Sequence, residues 1–326
     1  MSHNVQVILN PHAGNAGDRA VIEAALTVWR NHGWRVALHP THGPGHAIVL
    51  AQQAVSAGAD LVVAAGGDGT VNEVVNGLAN TQTALAVLPV GTGNVWIRET
   101  GLPLQPVEAA LRLLEGQPYA LDLGVAGDRY FLLMAGIGFD ADVIRYLDPA
   151  AKRRLGMVAY VTHAIARARQ VRGTPVRLVL DGRPVKGRVL QVVVGNSRLY
   201  GGFLQIAHQA SPIDGLLDVV VIKGGDMRVA PLHLLSILLR RYHFNPDLDY
   251  YRARELTLTA GSPLEVQVDG DALCRTPVTF RVVPRALQAW LPADAYQRLV
   301  GPPPVMSGLD AAWRRLRSRF APRTTP

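Results

Sequence analysis

The first third of the chain alternates short apolar runs with longer segments in which apolar residues recur at helical spacing. Four runs are typical of buried strands: VQVILN, WRVALH, DLVVAAG and ALAVLPV. Three segments between them predict amphipathic helices: DRAVIEAALTVWRNHG, GHAIVLAQQAVSAG and TVNEVVNGL. Because strands that alternate with helices form βαβ units, we expect a parallel sheet in a three-layer α/β domain over residues 1–123.

From about Leu123 the pattern changes to short apolar or alternating runs separated by turns. These runs are RYFLLMAGIG, VRLVLDGRPVKGRVLQVVVGN, GLLDVVVIKG, ELTLTA, PLEVQVDGD and VTFRVV. The dipeptide at Asp181 and Gly182 predicts a hairpin turn inside the second run. We therefore expect an antiparallel β-sandwich over residues 124–285, a return of residues 286–305 to the first domain, and a basic amphipathic or disordered tail over 306–326.

Three strands of the first domain end in loops of one chemical kind. The loops are NPHAG (Asn10–Gly14), GGDGT (Gly66–Thr70) and PVGTGN (Pro89–Asn94). Ligands of parallel sheets bind at the carboxyl ends of the strands, and glycines there let a phosphate approach backbone N–H groups and a helix N-terminus.

One residue of these loops, Asp68, carries a negative charge that would repel a phosphate directly. A divalent cation between the two removes that conflict, so the pattern predicts a Mg-nucleotide site. A single loop of this kind could equally be only a tight strand–helix turn; three at one edge favour the nucleotide site.

The three loops, in this order and spacing, resemble those of the soluble diacylglycerol kinase family. That family includes bacterial lipid kinases and is similar to sphingosine and ceramide kinases, whereas GGDGT alone is also shared with NAD kinases and phosphofructokinases. In the second domain, GNSRLYGGF, SPIDGLLDVVV and VQVDGDAL resemble family segments in the same order. The resemblance covers roughly residues 4 to 300 and implies a phosphofructokinase-like and NAD-kinase-like nucleotide domain.

The resemblance also implies roles for individual residues. ATP contacts would fall on Asn10, Pro11, His12, Ala13, Gly14, Thr41, Gly66, Gly67, Asp68, Gly69, Thr70, Val71, Asn72 and Thr92. The catalytic residues would be Asp68, which orients Mg-ATP, and Asp271, which accepts the proton of the lipid hydroxyl. A structural Mg²⁺ would bind Asp214 and the carbonyl groups of Ser211 and Leu216, with Asp122 joined to it through water.

Two positions depart from the family pattern. Asp271 stands where the family usually has Glu, and Val95 follows Asn94 where the family motif often has Asp. The second change removes a carboxylate near the second metal and so alters the coordination expected there, although neither change removes the glycine-rich loops that would hold phosphate. Two alternatives to a lipid kinase therefore stay open: an NAD kinase, which PVGTGN and the later family segments argue against, and a non-catalytic regulator that binds nucleotide or lipid.

Charge and composition narrow the class of partner. The 326 residues carry a formal net charge of +8, which favours acidic partners such as nucleotides or an anionic membrane surface. A helix-turn-helix, RNP or zinc-finger motif is missing, so nucleic acid is not expected as a partner.

The single Cys274 fits a reducing cytosol, and the N-terminus lacks the pattern of a signal peptide. The apolar run near Val229 to Leu239 is too short to span a bilayer.

The basic residues concentrate in two places. One is an acid-free stretch with Lys152, Arg153, Arg154, Arg167, Arg169, Arg172 and Arg177. The other is the tail, where Leu309, Trp313, Leu316 and Phe320 share one helical face flanked by Arg314, Arg315, Arg317 and Arg319. This tail is typical of an interfacial amphipathic helix, although a solvated tail or a helix packed on the first domain would show the same pattern.

One further motif suggests a different cofactor. The segment GIGFDA (Gly136–Ala141) fits the dinucleotide pattern G-x-G-x-x-G/A, but no acidic residue follows where the ribose would need one. The sequence thus predicts a cytoplasmic, peripherally membrane-associated lipid kinase that uses ATP and Mg²⁺, with a diacylglycerol-like acceptor. It leaves open which lipid is phosphorylated and whether the chain forms a homodimer.

Overall fold

The computed structural model describes residues 2–14, 19–146, 172–202, 204–225, 233, 237 and 245–302. The proposed amphipathic tail, most of the basic stretch and most of the run near Val229 lie outside the described residues. Within the described part of the chain, no helix is both long and apolar enough to cross a membrane.

The N-terminal unit has the predicted βαβ arrangement. Its elements are β1 (Asn4–Leu9), α1 (Arg19–Asn31), β2 (Arg35–Pro40), α2 (His46–Ser56), β3 (Leu61–Gly66), α3 (Asp68–Leu78) and β4 (Ala84–Pro89). The strands pair in parallel in the order β4-β3-β1-β2, which confirms the predicted α/β domain. Helix α3 begins at Asp68 rather than Thr70, so the central aspartate of GGDGT belongs to the first helical turn.

The remaining elements are mainly strands. They are α4 (Val95–Thr100), α5 (Pro106–Leu113), β5 (Gln117–Ala126), β6 (Arg129–Phe131), β7 (Met134–Gly138), α6 (Phe139–Tyr146), β8 (Thr174–Leu180), β9 (Arg183–Gly195), β10 (Leu199–Tyr200), β11 (Leu204–Gln205), β12 (Leu217–Lys223), β13 (Leu248–Ala253), β14 (Glu255–Ala260), β15 (Glu265–Val268), β16 (Asp271–Arg275), β17 (Val278–Leu291) and α7 (Ala293–Val300). Strands β7 to β9 and β12 to β16 pair antiparallel, as the alternation predicts.

The predicted hairpin joins β8 to β9. Its turn residues Asp181 and Gly182 have φ values of 46° and 81°, which Asp and Gly tolerate better than other residues. Leu180 and Arg183 face each other across the turn. The Asp-Gly pair therefore fixes the register of this hairpin.

Strand β17 belongs to both units. Its first half pairs antiparallel with β14 (Glu255 opposite Arg281), and its second half pairs parallel with β4 (Gln288 opposite Ala84). Strand β5 follows β17 along both halves, with a register shift between Val283 and Leu287. The two units consequently share one continuous sheet, to which the described residues contribute 15 strands.

The described residues form two apolar clusters: one fills the N-terminal unit and extends into the second unit at Val193 and Val220, and the other lies within the second unit. In the first, Trp29 is fully buried and its indole N–H donates to the Ala110 carbonyl at 2.9 Å, which satisfies the only donor of that side chain. In the second, Phe131 and Phe280 pack edge to face with ring centroids 6.3 Å apart. Strands β3, β4 and β15 pack in these two clusters, and the residues of the candidate site follow the ends of these strands.

Candidate active site at the carboxyl edge of the parallel sheet

The three glycine-rich loops contact one another at this edge. Gly91 packs so closely on the second loop that a Cβ on it would lie 2.4 Å from the Cα of Gly67. A Cβ on Gly14 would lie 2.7 Å from the carbonyl oxygen of Val90, which brings the first loop against the third. Backbone therefore meets backbone, with no room for side chains between the loops.

The side chain of Asp68 reaches from the second loop to the third. Its Oδ1 accepts a hydrogen bond from the backbone N–H of Val95 at 2.8 Å. Its Oδ2 approaches Gly93, where a Cβ would lie only 2.6 Å away. The first turn of α3 also leaves backbone N–H groups without intrahelical partners beside this carboxylate. Val95, the residue that replaces a family aspartate, thus orients Asp68 through its main chain.

Asp271 approaches the same loop from the second unit. It is the half-buried first residue of β16. Its Oδ2 and Oδ1 atoms lie 3.5 and 3.8 Å from the position of a Cβ on Gly69. Asp271, about 200 residues further along the chain, therefore lies beside Gly69, the residue that follows Asp68.

Asn72 points away from the loops and toward the turn that precedes Asp271. Its buried amide nitrogen donates to the Tyr130 carbonyl at 3.0 Å and to Asp269 Oδ2 at 2.8 Å. Burial raises the pKa of Asp269 to about 6, against the opposing effect of the hydrogen bonds that it accepts. The sequence predicted no role for Asp269.

The loop with Thr41 is held by a residue that sequence reasoning missed. The carboxylate of Glu73, on α3, accepts hydrogen bonds from the N–H groups of Gly45 (2.8 Å) and Ala47 (3.1 Å) at the start of α2. Thr41 itself is buried, and its N–H donates to the Leu9 carbonyl at 2.8 Å. The only signal in the sequence that could have identified Glu73 is its position, about one helical turn after GGDGT.

The other implied ATP contacts differ in exposure. Pro11, His12 and Thr92 are exposed and open to a ligand. Thr70 is buried, and its hydroxyl oxygen accepts a hydrogen bond from the Asn10 amide at 3.1 Å. Val71 is also buried, so only its backbone can face the loop.

Asp214 lies in a turn before β12, away from the glycine-rich loops in sequence. Its Oδ1 accepts a hydrogen bond from Leu216 N–H at 3.0 Å, and its N–H approaches the Ser211 carbonyl at 3.4 Å. A carboxylate with two carbonyl groups is a donor set that suits Mg²⁺. However, Asp214 Oδ2 is ion-paired with Arg252, so this guanidinium and a metal would compete for one carboxylate.

Two further carboxylates surround this turn. Asp122 accepts backbone hydrogen bonds from Gly215 and from Arg285, both at 2.8 Å, and so ties the turn to β17. Asp218 is fully buried, receives the Tyr250 hydroxyl at 2.7 Å, and has its pKa raised to about 6 by burial. Among the described residues, no group of three or more His, Cys, Asp or Glu side chains could hold a metal alone, so any metal here depends on carbonyl ligands.

Comparisons with known proteins identify both units. The family model of the diacylglycerol kinase catalytic domain matches residues 4–126, and that of the YegS C-terminal NAD kinase β-sandwich-like domain matches residues 134–291. The second match confirms the predicted sandwich.

Whole-chain relatives agree with these matches. A probable lipid kinase of the YegS-like type from Pseudomonas putida is 34% identical over 278 residues, which is 84% of this chain and 91% of that protein. A diacylglycerol kinase from Bacillus subtilis is 28% identical over 298 residues, which is 90% of this chain and 98% of that protein. The crystal structure of a diacylglycerol kinase from Bacillus anthracis superposes with a TM-score of 0.72 at 25% identity, covering 88% of this chain and 96% of that one. The chain therefore belongs to the family of diacylglycerol kinases and YegS-like lipid kinases.

Proposed function

We propose that the protein transfers the γ-phosphoryl group of Mg-ATP to the hydroxyl group of a lipid. The observation that carries the proposal is the approach of Asp271 to Gly69, next to Asp68, at an edge lined by three glycine-rich loops. Family membership supports a kinase, and the names of the relatives support a lipid acceptor such as diacylglycerol.

The residues have distinct roles in this proposal. The loops and the N-terminus of α3 hold the phosphates through backbone N–H groups, with the ATP contacts that the family resemblance implies, except for Asn72, whose amide is bound to Tyr130 and Asp269. Mg²⁺, when bound, neutralises the phosphate charge beside Asp68. Asp271 accepts the proton of the attacking hydroxyl, and its position near Gly69 brings that hydroxyl toward the phosphate loop.

The test uses the purified protein with labelled ATP, Mg²⁺ and separate acceptors: diacylglycerol, a sphingoid base, a polyprenol, phosphatidylglycerol and NAD. We expect phosphorylated lipid and no NADP. Formation of NADP alone would identify the protein as an NAD kinase, and ATP binding without any transfer would identify it as a regulator.

Variants of the two carboxylates separate their roles. Asp68→Asn is nearly isosteric, so it should keep the fold and lose most activity because Mg-ATP is no longer oriented. Asp271→Asn should bind ATP normally and transfer phosphate slowly, whereas Asp271→Glu, the usual family residue, should keep substantial activity. Loss of ATP binding in Asp271→Asn with unchanged transfer from the bound state would refute its assignment as the base.

We also propose that the enzyme acts at a membrane surface, because a long-chain lipid acceptor lies in a bilayer. The basic, amphipathic segment 306–326 is the candidate for membrane contact. Deleting it should weaken sedimentation with anionic vesicles at low salt and lower activity on vesicle lipid, while activity on a short-chain lipid stays constant. Equal losses on both lipids, with a lower Tm, would instead indicate that the segment packs on the protein.

A further inference from the structure

The turn that carries Asp271 is held by a carboxylate with four hydrogen-bond donors. Asp269 immediately precedes Gly270 in the turn between β15 and β16, with φ of 46°. Its Oδ1 accepts N–H bonds from Leu133 and Met134, both at 2.9 Å, and its Oδ2 accepts the N–H of Leu132 at 2.8 Å. Because all these partners are donors, the ionised carboxylate suits the position and an amide does not.

The fourth donor comes from the other unit. The amide nitrogen of Asn72 reaches Asp269 Oδ2 at 2.8 Å, across 197 positions of sequence. Asn72 lies on α3 one turn after Asp68, so this single bond links the helix that carries Asp68 to the turn that carries Asp271. The bond is partly buried, because Asn72 is fully buried and Asp269 is partly exposed, and away from bulk water a hydrogen bond to a charged acceptor contributes more than it would in water.

A second set of hydrogen bonds holds the same turn and connects it, through Gln267, to Asp140 of the motif GIGFDA. The Gly270 N–H donates to Gln267 Oε1 at 2.8 Å, and the Gln267 amide donates to Asp140 Oδ2 at 3.0 Å. Asp140 is fully buried under β7, where a Cβ on Gly136 would lie 2.1 Å from the same oxygen. The glycine of this motif thus makes room for a carboxylate of the protein itself rather than for a dinucleotide.

We propose that Asn72 and Asp269 form a positioning pair that keeps Asp271 aligned with Asp68 and Gly69, with Asp140 and Gln267 as a second support. This inference rests on the proposed kinase function. It assigns Asn72 a role in aligning the two units, instead of the direct ATP contact that the family resemblance implies. Neither member of the pair touches the reacting atoms; both act through the turn.

Two variants test the pair. Asn72→Ala removes the bond between units, yet Tyr130 keeps a donor because the Asn76 amide also reaches its carbonyl at 3.0 Å. Asp269→Asn is nearly isosteric and places an amide against backbone donors. The matched control is Asp181→Asn, since Asp181 also has φ of 46°, precedes a glycine, and accepts backbone N–H bonds from Arg254 and Glu255 far along the sheet from the site.

The measurements are hydrogen exchange of residues 266–274 in the ligand-free protein, ATP affinity, and kcat for lipid phosphorylation. For both pair variants we expect faster exchange in this segment, a kcat lowered by about 10- to 100-fold, and ATP affinity within about twofold of wild type, because misalignment affects transfer and not nucleotide binding. The Asp181→Asn control should leave exchange in the segment and kcat unchanged.

Two results would overturn the positioning pair. One is unchanged exchange and kcat in Asn72→Ala; the other is a large loss of ATP affinity with kcat retained, which would make Asn72 a nucleotide contact. If the wild-type protein phosphorylates no lipid, the proposed function fails, and the exchange data still decide whether the pair holds the turn.

Discussion

Replacing Gly91 with alanine should push the second and third glycine-rich loops apart, because it adds a methyl group between them. In Gly91→Ala the new Cβ would lie 2.4 Å from Gly67 Cα, 3.1 Å from Gly67 N and 3.0 Å from Asn94 Oδ1. Since ordinary carbon contacts begin at about 3.4 Å and the obstacle is backbone, the loops must move apart by about 1 Å. A displacement of that size can cost about 100-fold in rate, or about 2.7 kcal/mol in the activation free energy.

The stability cost of the same change is separate from the catalytic cost. Overpacking of this kind costs about 1–3 kcal/mol, which would lower the Tm by about 2–6 °C in a chain of this size. The control is Gly187→Ala on β9, where a Cβ meets nothing within 4 Å. Activity should be measured by lipid phosphorylation at saturating ATP, and ATP affinity by calorimetry, at a temperature where all three proteins are folded.

One result would refute this reasoning. If Gly91→Ala binds ATP and phosphorylates lipid as well as Gly187→Ala does, the close packing of the two loops does not set the position of the phosphates. A loss of ATP affinity together with kcat would support it, because displaced loops would weaken binding of the proposed nucleotide and would also misplace its γ-phosphate for transfer.

Three further predictions address other parts of the site. Gly69→Ala adds a methyl group in a helical turn, 3.5 Å from Asp271 Oδ2, so the Tm should stay the same or rise while lipid phosphorylation falls, because the methyl group occupies space that the acceptor lipid needs. Full activity of this variant would contradict the prediction. Arg252→Met removes the ion pair of Asp214 and should enlarge the rise in Tm that Mg²⁺ induces, whereas Asp214→Ala should abolish that rise. The same Mg²⁺-induced change in Tm in the wild type and both variants would exclude a metal at Asp214. Burial raises the pKa of Asp218 from 3.8 to about 6, so ionisation of this side chain destabilises the wild type as the pH rises from about 4 to 6, and the Tm of Asp218→Asn should rise relative to that of the wild type over this range. A Tm difference between the two proteins that does not change with pH would contradict the raised pKa.

The sequence predicted the parts of the site that depend on local chemistry. Glycines at the ends of three parallel strands must meet at one edge, and the structure brings Gly91 onto Gly67 and Gly14 onto Val90. The Asp-Gly hairpin at Asp181 was equally predictable, because its backbone conformation is set by its own residues.

Long-range partners could not be predicted in this way. The bond from Asn72 to Asp269 spans 197 positions, and nothing in either neighbourhood marks the other residue. The extent of β17 was also missed, because Pro284 and Arg285 interrupt the apolar pattern after Val283. Arg285 has φ of 55° and donates its N–H to Asp122, so the strand passes through an irregularity and continues to Leu291.

The shared strand β17 has a consequence for biosynthesis. The parallel sheet is completed only when Gln288 and Ala289 pair with β4, about 200 residues after β4 itself leaves the ribosome. At typical elongation rates the buried edge of β4 waits about 10–40 s for its partner, exposed to other chains or to chaperones. A fragment that stops at residue 126 would keep that edge open permanently, so the N-terminal unit should be expressed together with its C-terminal strand.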